Sequence, residues 1–278
     1  MPPGTLYVVA TPLGNLGDLT IRAAETLRTV PVVAAEDTRR TRGLLVHLGA
    51  RPRLLSFHAH SPDRRIEVLI EILRDGKDVA LVSDAGTPTI SDPGAGLVAA
   101  VRGAGFAVVP LPGATAVGAA LSAAGLPADR YLFLGFIPRR GKERERLLRL
   151  AAESRWTVAF YEAPTRLVAL LEDLRSVVGA DRRVVVAREL TKLHEEIRSE
   201  SLTEAIGHYG GQPPRGELTI LLEGTGEAPG EPADRELAMA TATGLLASGM
   251  TRRAVVQHLV RTSGLPRNDA YRIVMDLP

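Results

Sequence analysis

Four loops of this chain hold the residues best placed for chemistry: ATPLGNLGD (10–18), AEDTRRT (35–41), SDAGTPTISDPG (83–94) and PLPGATA (110–116). Each begins where a strand-like apolar run stops. The third is the most abrupt. A buried-looking run ends in Asp84, Ala85 and Gly86, followed by Pro88 and then Asp92, Pro93 and Gly94. In open α/β sheets, ligands bind at the carboxyl ends of strands, where turns expose backbone N–H groups and helix N-termini. The loop at 10–18 lacks the G-x-G-x-x-G spacing of a dinucleotide fold and has no lysine for a phosphate loop. Any one of these glycines could simply permit a tight turn, and Asp84 could be a turn former or helix cap. Several such loops at successive strand ends point instead to a ligand that needs the backbone close. Without phosphate-binding spacing, a nucleoside with no phosphate chain suits them.

These loops need a sheet to position them. Apolar, β-rich runs fall at 6–10, 32–36, 53–57, 79–84 and 107–113, with helical periodicity between them. Strands separated by single helices predict a mostly parallel sheet with helices on both faces. After a linker near 125–129, strands at 131–136, 157–163, 184–189 and 217–224, with a hairpin-like piece near 195–201, predict a second, mixed α/β domain. GTGEAPGEPAD (224–234) reads as a second linker. Residues 234–278 read as three short helices, with Thr251 and Asn268 as N-caps. The expected division is 1–125, 126–225 and 234–278. The tail resembles a helix-turn-helix module, and a packing role on the body or on a partner subunit fits it as well.

The 278 residues are 45% hydrophobic and 24% charged, as in an ordinary globular protein. There is no cysteine, which excludes disulfides and thiolate metal sites and suits the cytosol. The N-terminus lacks a signal-peptide pattern. The uncharged run at 111–128 holds two prolines and many small residues, so it reads as a packed helix and not a membrane span. Net charge is only +2, no global signal for nucleic acid. Residues 137–155 nevertheless carry seven basic groups against three acids. Arg144 to Arg149 suit a solvated helix face with Glu–Arg pairs, whereas Arg139, Arg140 and Lys142 precede the helix.

The blocks LYVVATPLGNLGDLT, EDTRRT, SFHAHS, ALVSDAGTPTISDPG, PLPGATA, GFIPRRGKER, FYEAPTRL and RGELTILLEG follow one another in order. Over residues 5–224 the chain resembles the ribosomal RNA small subunit methyltransferase I family, of the tetrapyrrole-methylase-like class. That resemblance implies a two-domain α/β fold with S-adenosylmethionine held between the domains, and transfer of its methyl to the 2′-oxygen of a decoding-site cytidine in 16S rRNA. It also implies a homodimer. The expected partners are 16S rRNA within the assembled small subunit and a second copy of the chain, with no membrane. By the same resemblance, Asp84, Ala85 and Gly86 lie against the donor, Pro12, Leu13 and Gly14 border the acceptor side of its site, and Gly113, Ala114 and Thr115 contact it. Phe133, Glu162, Leu190, Gly216, Leu218 and Thr219 are expected to close over it.

A ribose hydroxyl is a poor nucleophile until its proton is leaving, so a base is expected nearby. Asp37, His58 (with His60 two residues on) and Glu162 are the candidates. No third ligand is spaced to make the histidines a metal site. Arg39, Arg40, Arg139, Arg140 and Lys142 are expected on RNA phosphates. Two other readings remain open at this stage: a methyltransferase acting on a tetrapyrrole or other small molecule, and a non-enzymatic nucleic-acid-binding regulator built around the helical tail.

Overall fold

Alternation along the short strands of the first half decides how its helices are layered. In β2 (Val32–Ala35), Val32 and Ala34 point to one face, and Val33 and Ala35 to the other. Both faces are apolar, so both must be covered. The structure, a computed structural model, describes residues 2–211, 214–226, 232–263, 265 and 267–277. Its first sheet adds β1 (Thr5–Val9), β3 (Arg53–Ser56), β4 (Val79–Val82) and β5 (Ala107–Leu111) in the order β3-β2-β4-β1-β5. Every pairing is parallel. Helices α1 (Ile21–Thr29) and α2 (Thr38–His47) pack on one face through Leu27 and Leu45. Helices α3 (Arg64–Arg74) and α4 (Ala95–Gly103) pack on the other through Leu69, Leu73, Leu97 and Val101. Each fully buried leucine contributes about 2 kcal/mol.

The second sheet is mixed, in the order β6-β7-β10-β8-β9: β6 (Tyr131–Phe136), β7 (Thr157–Glu162), β10 (Leu218–Leu222), β8 (Arg183–Arg188) and β9 (Glu196–Ser201). β6 and β7 run parallel and the remaining pairs antiparallel. The piece expected near 195–201 is β9, the edge strand. Helices α6 (Lys142–Glu153), α7 (Leu167–Val178) and α8 (Leu202–Gly211) cover one face. The other face is covered by α5 (Ala116–Ala123), which follows β5 of the first sheet and packs Val117, Ala120 and Leu121 on Ala159, Val185 and Leu221. The small side chains of α5 let it lie close to that sheet. Residues 1–125 and 126–225 therefore hold one sheet each, yet α5 joins them in a single compact unit, Met1–Gly224.

The second unit, Thr225–Pro278, contains α9 (Pro232–Ala247), α10 (Arg252–Ser263) and α11 (Arg267–Asp276) around a core of its own, with Ala242, Val255, Leu259 and Val274. Thr251 caps α10, its hydroxyl accepting from the Ala254 N–H at 3.4 Å. Asn268 corrects the sequence reading: α11 already begins at Arg267, so Asn268 lies in its first turn and does not precede it. Part of the expected linker, 227–231, lies outside the described residues. Among the described residues, no helix is long and apolar enough to cross a membrane.

Candidate functional site

β1 and β4 are neighbours, but their connections leave toward opposite edges of the sheet, β1 toward β2 and β4 toward β5. That divergence opens a crevice at their carboxyl ends. The two loops that border it are stapled together. The Thr11 N–H donates to the Gly86 carbonyl at 2.9 Å, and the Gly86 N–H donates back to the Thr11 carbonyl at 3.0 Å. Gly86 reaches this geometry at φ 79°, a left-handed conformation that favours glycine. The loop after β5 is drawn in as well. The Thr87 hydroxyl donates to the Ala114 carbonyl at 3.1 Å, and a Cβ at Gly113 would come within 2.8 Å of that of Ala10. Thr89 and Ser91 also hold positive φ, at 74° and 62°. For a β-branched residue such as Thr89 this is strained backbone, and strain of this kind gathers at functional sites.

These loops face the ends of β6, β7 and β10 across a cleft of about 420 Å³. Of the residues expected to hold a donor, Leu13, Asp84, Ala85, Gly86, Thr115, Glu162, Gly216, Leu218 and Thr219 line it. The others stand behind the wall. Gly14 backs onto the Lys192 side chain, Gly113 onto Ala10, and the Ala114 carbonyl takes the Thr87 hydroxyl. Phe133 packs edge-on against Tyr161, and Leu190 is buried against α5. Pro12 is half-buried beside Thr11 and does not line the cleft.

The cleft is acidic. Glu36, Asp84, Asp92 and Glu217 line it, with Arg40 as the one arginine among its lining residues. Asp84 is the node of this group. Its Oδ1 accepts from the Asp37 N–H at 2.9 Å, its Oδ2 lies 3.7 Å from Arg40, and its own N–H donates to Glu36 at 3.4 Å. Burial pushes the Glu36 carboxyl above its ordinary range. Burial pushes Asp92 up to about 6, with the negative charges of Glu36, Asp84 and Glu217 adding to the shift and a hydrogen bond with Ser83 opposing it.

The three candidate bases stand in different places. Asp37 caps α2, accepts from the Arg39 N–H at 2.8 Å, and is ion-paired to the Arg39 guanidinium at 2.7 Å. The hydrogen bonds from Arg39 hold its carboxyl at about 2. His58 is exposed on the loop after the edge strand β3, where its N–H donates to Ser61 at 2.9 Å and its Nδ1 accepts from the His60 N–H at 3.2 Å. Glu162 lines the cleft with a fully buried side chain. Its Oε1 accepts from the Ala163 N–H at 2.8 Å and from Arg166 at 3.0 Å, while the buried Oε2 has no partner. Burial raises this carboxyl, outweighing the Ala163 N–H and the Arg166 guanidinium.

Among the expected phosphate contacts, Arg139, Arg140 and Lys142 are exposed just ahead of and at the start of α6. Neighbouring Arg144 corrects the expectation of a solvated face: its side chain is mostly buried and spent on Asp173 and the Pro138 carbonyl, whereas Arg146 makes a pair of the expected kind, with Glu143. Sequence reasoning did not single out Glu36, Asp92, Phe136, Tyr161 or Glu217 as cleft residues. The S-D-P-G context of Asp92 reads as a turn, and nothing local marks Phe136 as exposed.

Residues 5–206 match the family described as Tetrapyrrole (Corrin/Porphyrin) Methylases. A ribosomal RNA small subunit methyltransferase I of Synechocystis sp. is 43% identical over 274 residues, 99% of this chain and 98% of the relative. The protein of that description from Thermotoga maritima is 44% identical over 221 residues, 80% of this chain and 99% of the relative. Among solved structures, uroporphyrin-III C-methyltransferase from Thermus thermophilus, complexed with S-adenosylhomocysteine, superposes with a TM-score of 0.57 at 20% identity, over 81% of this chain and 98% of that one. Identity that low speaks to the fold alone.

Proposed function

Because the chain belongs to the ribosomal RNA small subunit methyltransferase I family, within the tetrapyrrole methylases, we propose that it transfers a methyl group from S-adenosylmethionine to the 2′-oxygen of a decoding-site cytidine in 16S rRNA. The observation that carries this reading is the acidic, glycine-bordered cleft, with five lining carboxyl groups, of which Glu162 has an unpartnered buried oxygen. S-adenosylmethionine supplies a methyl on a cationic sulfur. It carries net positive charge, which an acidic cleft attracts and an anionic donor would not match. Gly86 lets backbone approach without a side chain in the way, whereas the bare backbone of Gly216 makes room for the Glu189 side chain behind it. Residues of the α/β unit would hold the donor: Asp84 to Gly86, Thr115, and Gly216 to Thr219.

The proton of the ribose hydroxyl has to go to a base. Asp37, held at about 2 by Arg39, is a weak one at neutral pH. Glu162 suits the role better, since burial raises its carboxyl and one oxygen is free. Full activity in the alanine variants of Asp37, His58 and Glu162 alike would remove all three as the base. The acceptor RNA would meet Arg139, Arg140 and Lys142, and also Arg40 at the cleft and Arg39 beside it. A double Arg139→Ala/Arg140→Ala variant is expected to lower the salt slope of RNA binding by about 1.5 to 2, with donor affinity unchanged. An unchanged slope removes these two arginines from the interface.

Charge in the cleft also predicts a pH dependence. Asp92 ionises at about 6 in the free protein, and a bound cation favours its ionised form. Affinity for S-adenosylmethionine should therefore fall as pH drops from 7.5 to 5.5, while affinity for net-neutral S-adenosylhomocysteine changes less. Calorimetry at the two pH values should show the ratio of the affinities shrinking roughly 3- to 10-fold, and Asp92→Asn should flatten that change. A ratio independent of pH would place Asp92 away from the donor. The same shift has the opposite sign for the free protein. Asp92 has a higher pKa folded than unfolded, so its ionisation lowers stability as pH rises from about 4 through about 6.

We also propose a cytoplasmic homodimer, on the strength of the family resemblance; a monomer in sedimentation equilibrium would remove the second copy. The deciding test of function uses methyl-labelled S-adenosylmethionine with small ribosomal subunits from a strain lacking this protein, alongside naked 16S rRNA and total tRNA. Label on one decoding-site ribose of the subunit is the expected result. No label in any RNA, with donor binding intact, would favour methylation of a tetrapyrrole or other small molecule.

A further inference from the structure

One lining side chain of the cleft is explained by neither the acidic donor site nor the core. Phe136 is 56% exposed, yet it lines the cleft. A β-bulge puts it there. Phe133 pairs with Ala159 and Phe136 with Tyr161, so β6 spends one more residue than β7 over the same stretch. Gly135 absorbs the difference at φ 61°, and a Cβ there would meet the Ser91 hydroxyl at 2.9 Å. Bulges beside active sites re-aim side chains. Here the bulge brings Phe136 to the face already occupied by Phe133 and Tyr161. The three rings form a row, with centroids 5.0 Å apart for Phe133 and Tyr161 and 5.5 Å for Phe136 and Tyr161. The chain has only five Phe, five Tyr and one Trp, so a row of three does not reflect abundance. The inner two rings are half-buried and brace the third, which is exposed.

Within four residues of that ring come Arg139 and Arg140, both exposed and neither in an ion pair among the described residues. A flat apolar surface and unpaired guanidinium groups on one short segment match a single-stranded nucleotide, which offers a base to stack and phosphates to pair. The donor matches them poorly, because its positive charge suits the carboxylates of the cleft. We infer that Phe136 is a stacking platform for the base of the acceptor nucleotide, holding that nucleotide out of its own stack so that its ribose faces the cleft. This rests on the RNA methyltransferase reading. A nucleotide that leaves its stack loses the contact with neighbouring bases, and Phe136 replaces it.

The test compares wild type with Phe136→Ala and Phe136→Trp on small ribosomal subunits that lack the methyl group, with S-adenosylmethionine affinity and melting temperature measured for each. For Phe136→Ala, kcat/KM for RNA should fall about 10- to 100-fold, the size of one base–aromatic stack. Donor affinity should stay within twofold, and the melting temperature should barely move. Phe136→Trp should recover most of the activity. Wild-type kcat/KM in Phe136→Ala would overturn the inference. So would donor affinity falling by the same factor, which would give the ring to the donor's adenine, or a tryptophan variant as poor as alanine. If wild type labels no RNA, the RNA methyltransferase reading fails and takes this inference with it. If wild type labels RNA and Phe136→Ala labels it equally well, only the inference fails.

Discussion

Glu162→Gln should lower kcat for RNA methylation by about 100- to 10,000-fold while leaving the protein folded and the donor bound. The range is what a positioned base contributes to a proton transfer. Glutamine keeps the shape of the side chain and its acceptor oxygen, so the Ala163 N–H retains a partner at the end of β7. It removes the negative charge that Arg166 pairs with and puts an amide where Oε2 now waits without a partner. An amide cannot take a proton at neutral pH. Glu162→Ala should do more harm to the fold. It takes away the acceptor oxygen as well as the charge, leaving both the Ala163 N–H and the mostly buried Arg166 guanidinium without that partner, a loss of about 3–5 kcal/mol for a buried pair. The two variants therefore separate chemistry from structure. A single-turnover assay at saturating donor reads the first, and thermal melting reads the second. Wild-type turnover in Glu162→Gln would take the base role from Glu162. A large loss of donor affinity with turnover preserved would make Glu162 a donor contact instead.

What the sequence made legible was mostly local. β2 to β5 lie within the apolar runs and β1 begins one residue ahead of its own, because a strand covered on both faces is mostly apolar, and such runs stand out. The loops at 83–94 and 110–116 were legible through Gly86, Pro88 and Gly113, residues whose backbone requirements can be read without a partner. Asp92 was harder to see. Its environment is made by burial and by Glu36 and Glu217, distant in the chain, as well as Asp84 of its own loop, and the S-D-P-G pattern around it reads simply as a turn. Phe136 was hidden by the bulge. Strict alternation from Phe133 sends residue 136 to the opposite face, and only the register shift at Gly135 brings it round. The joining of the two sheets through α5 was hidden in the same way. A helix of alanines declares that something packs close to it but not which sheet. Asn268 shows a further limit, since a good capping residue can also sit one step inside a helix that starts earlier.

Gly86→Val should weaken S-adenosylmethionine binding by about 30- to 100-fold, with Gly86→Ala as its control. Both variants place a side-chain-bearing residue at φ 79°; β-branched valine is the more strained of the two there, and for alanine the cost is about 1–2 kcal/mol. In a chain of this size that corresponds to a loss of about 2–6 °C in melting temperature. A Cβ itself has room, since its nearest neighbours would be the Leu13 side chain at 3.4 Å and the Ala114 carbonyl at 3.7 Å. Alanine therefore carries the backbone strain with little intrusion, and its donor affinity should drop only a few-fold. Valine adds two methyl groups in the space that Leu13, Gly86 and Thr115 line. Neither the staple to Thr11 nor the Thr87 bond to Ala114 lets the loop retreat, so the bound donor would have to shift, as in any overpacked site. Calorimetric donor titration beside melting curves distinguishes the cases. If Gly86→Val binds the donor as well as Gly86→Ala does, the cleft at the ends of β1 and β4 is not where the donor sits. If both variants stay folded and only valine loses the donor, then this is the loop that approaches it, and the glycine after Asp84 and Ala85 is there to keep that approach free of side chains.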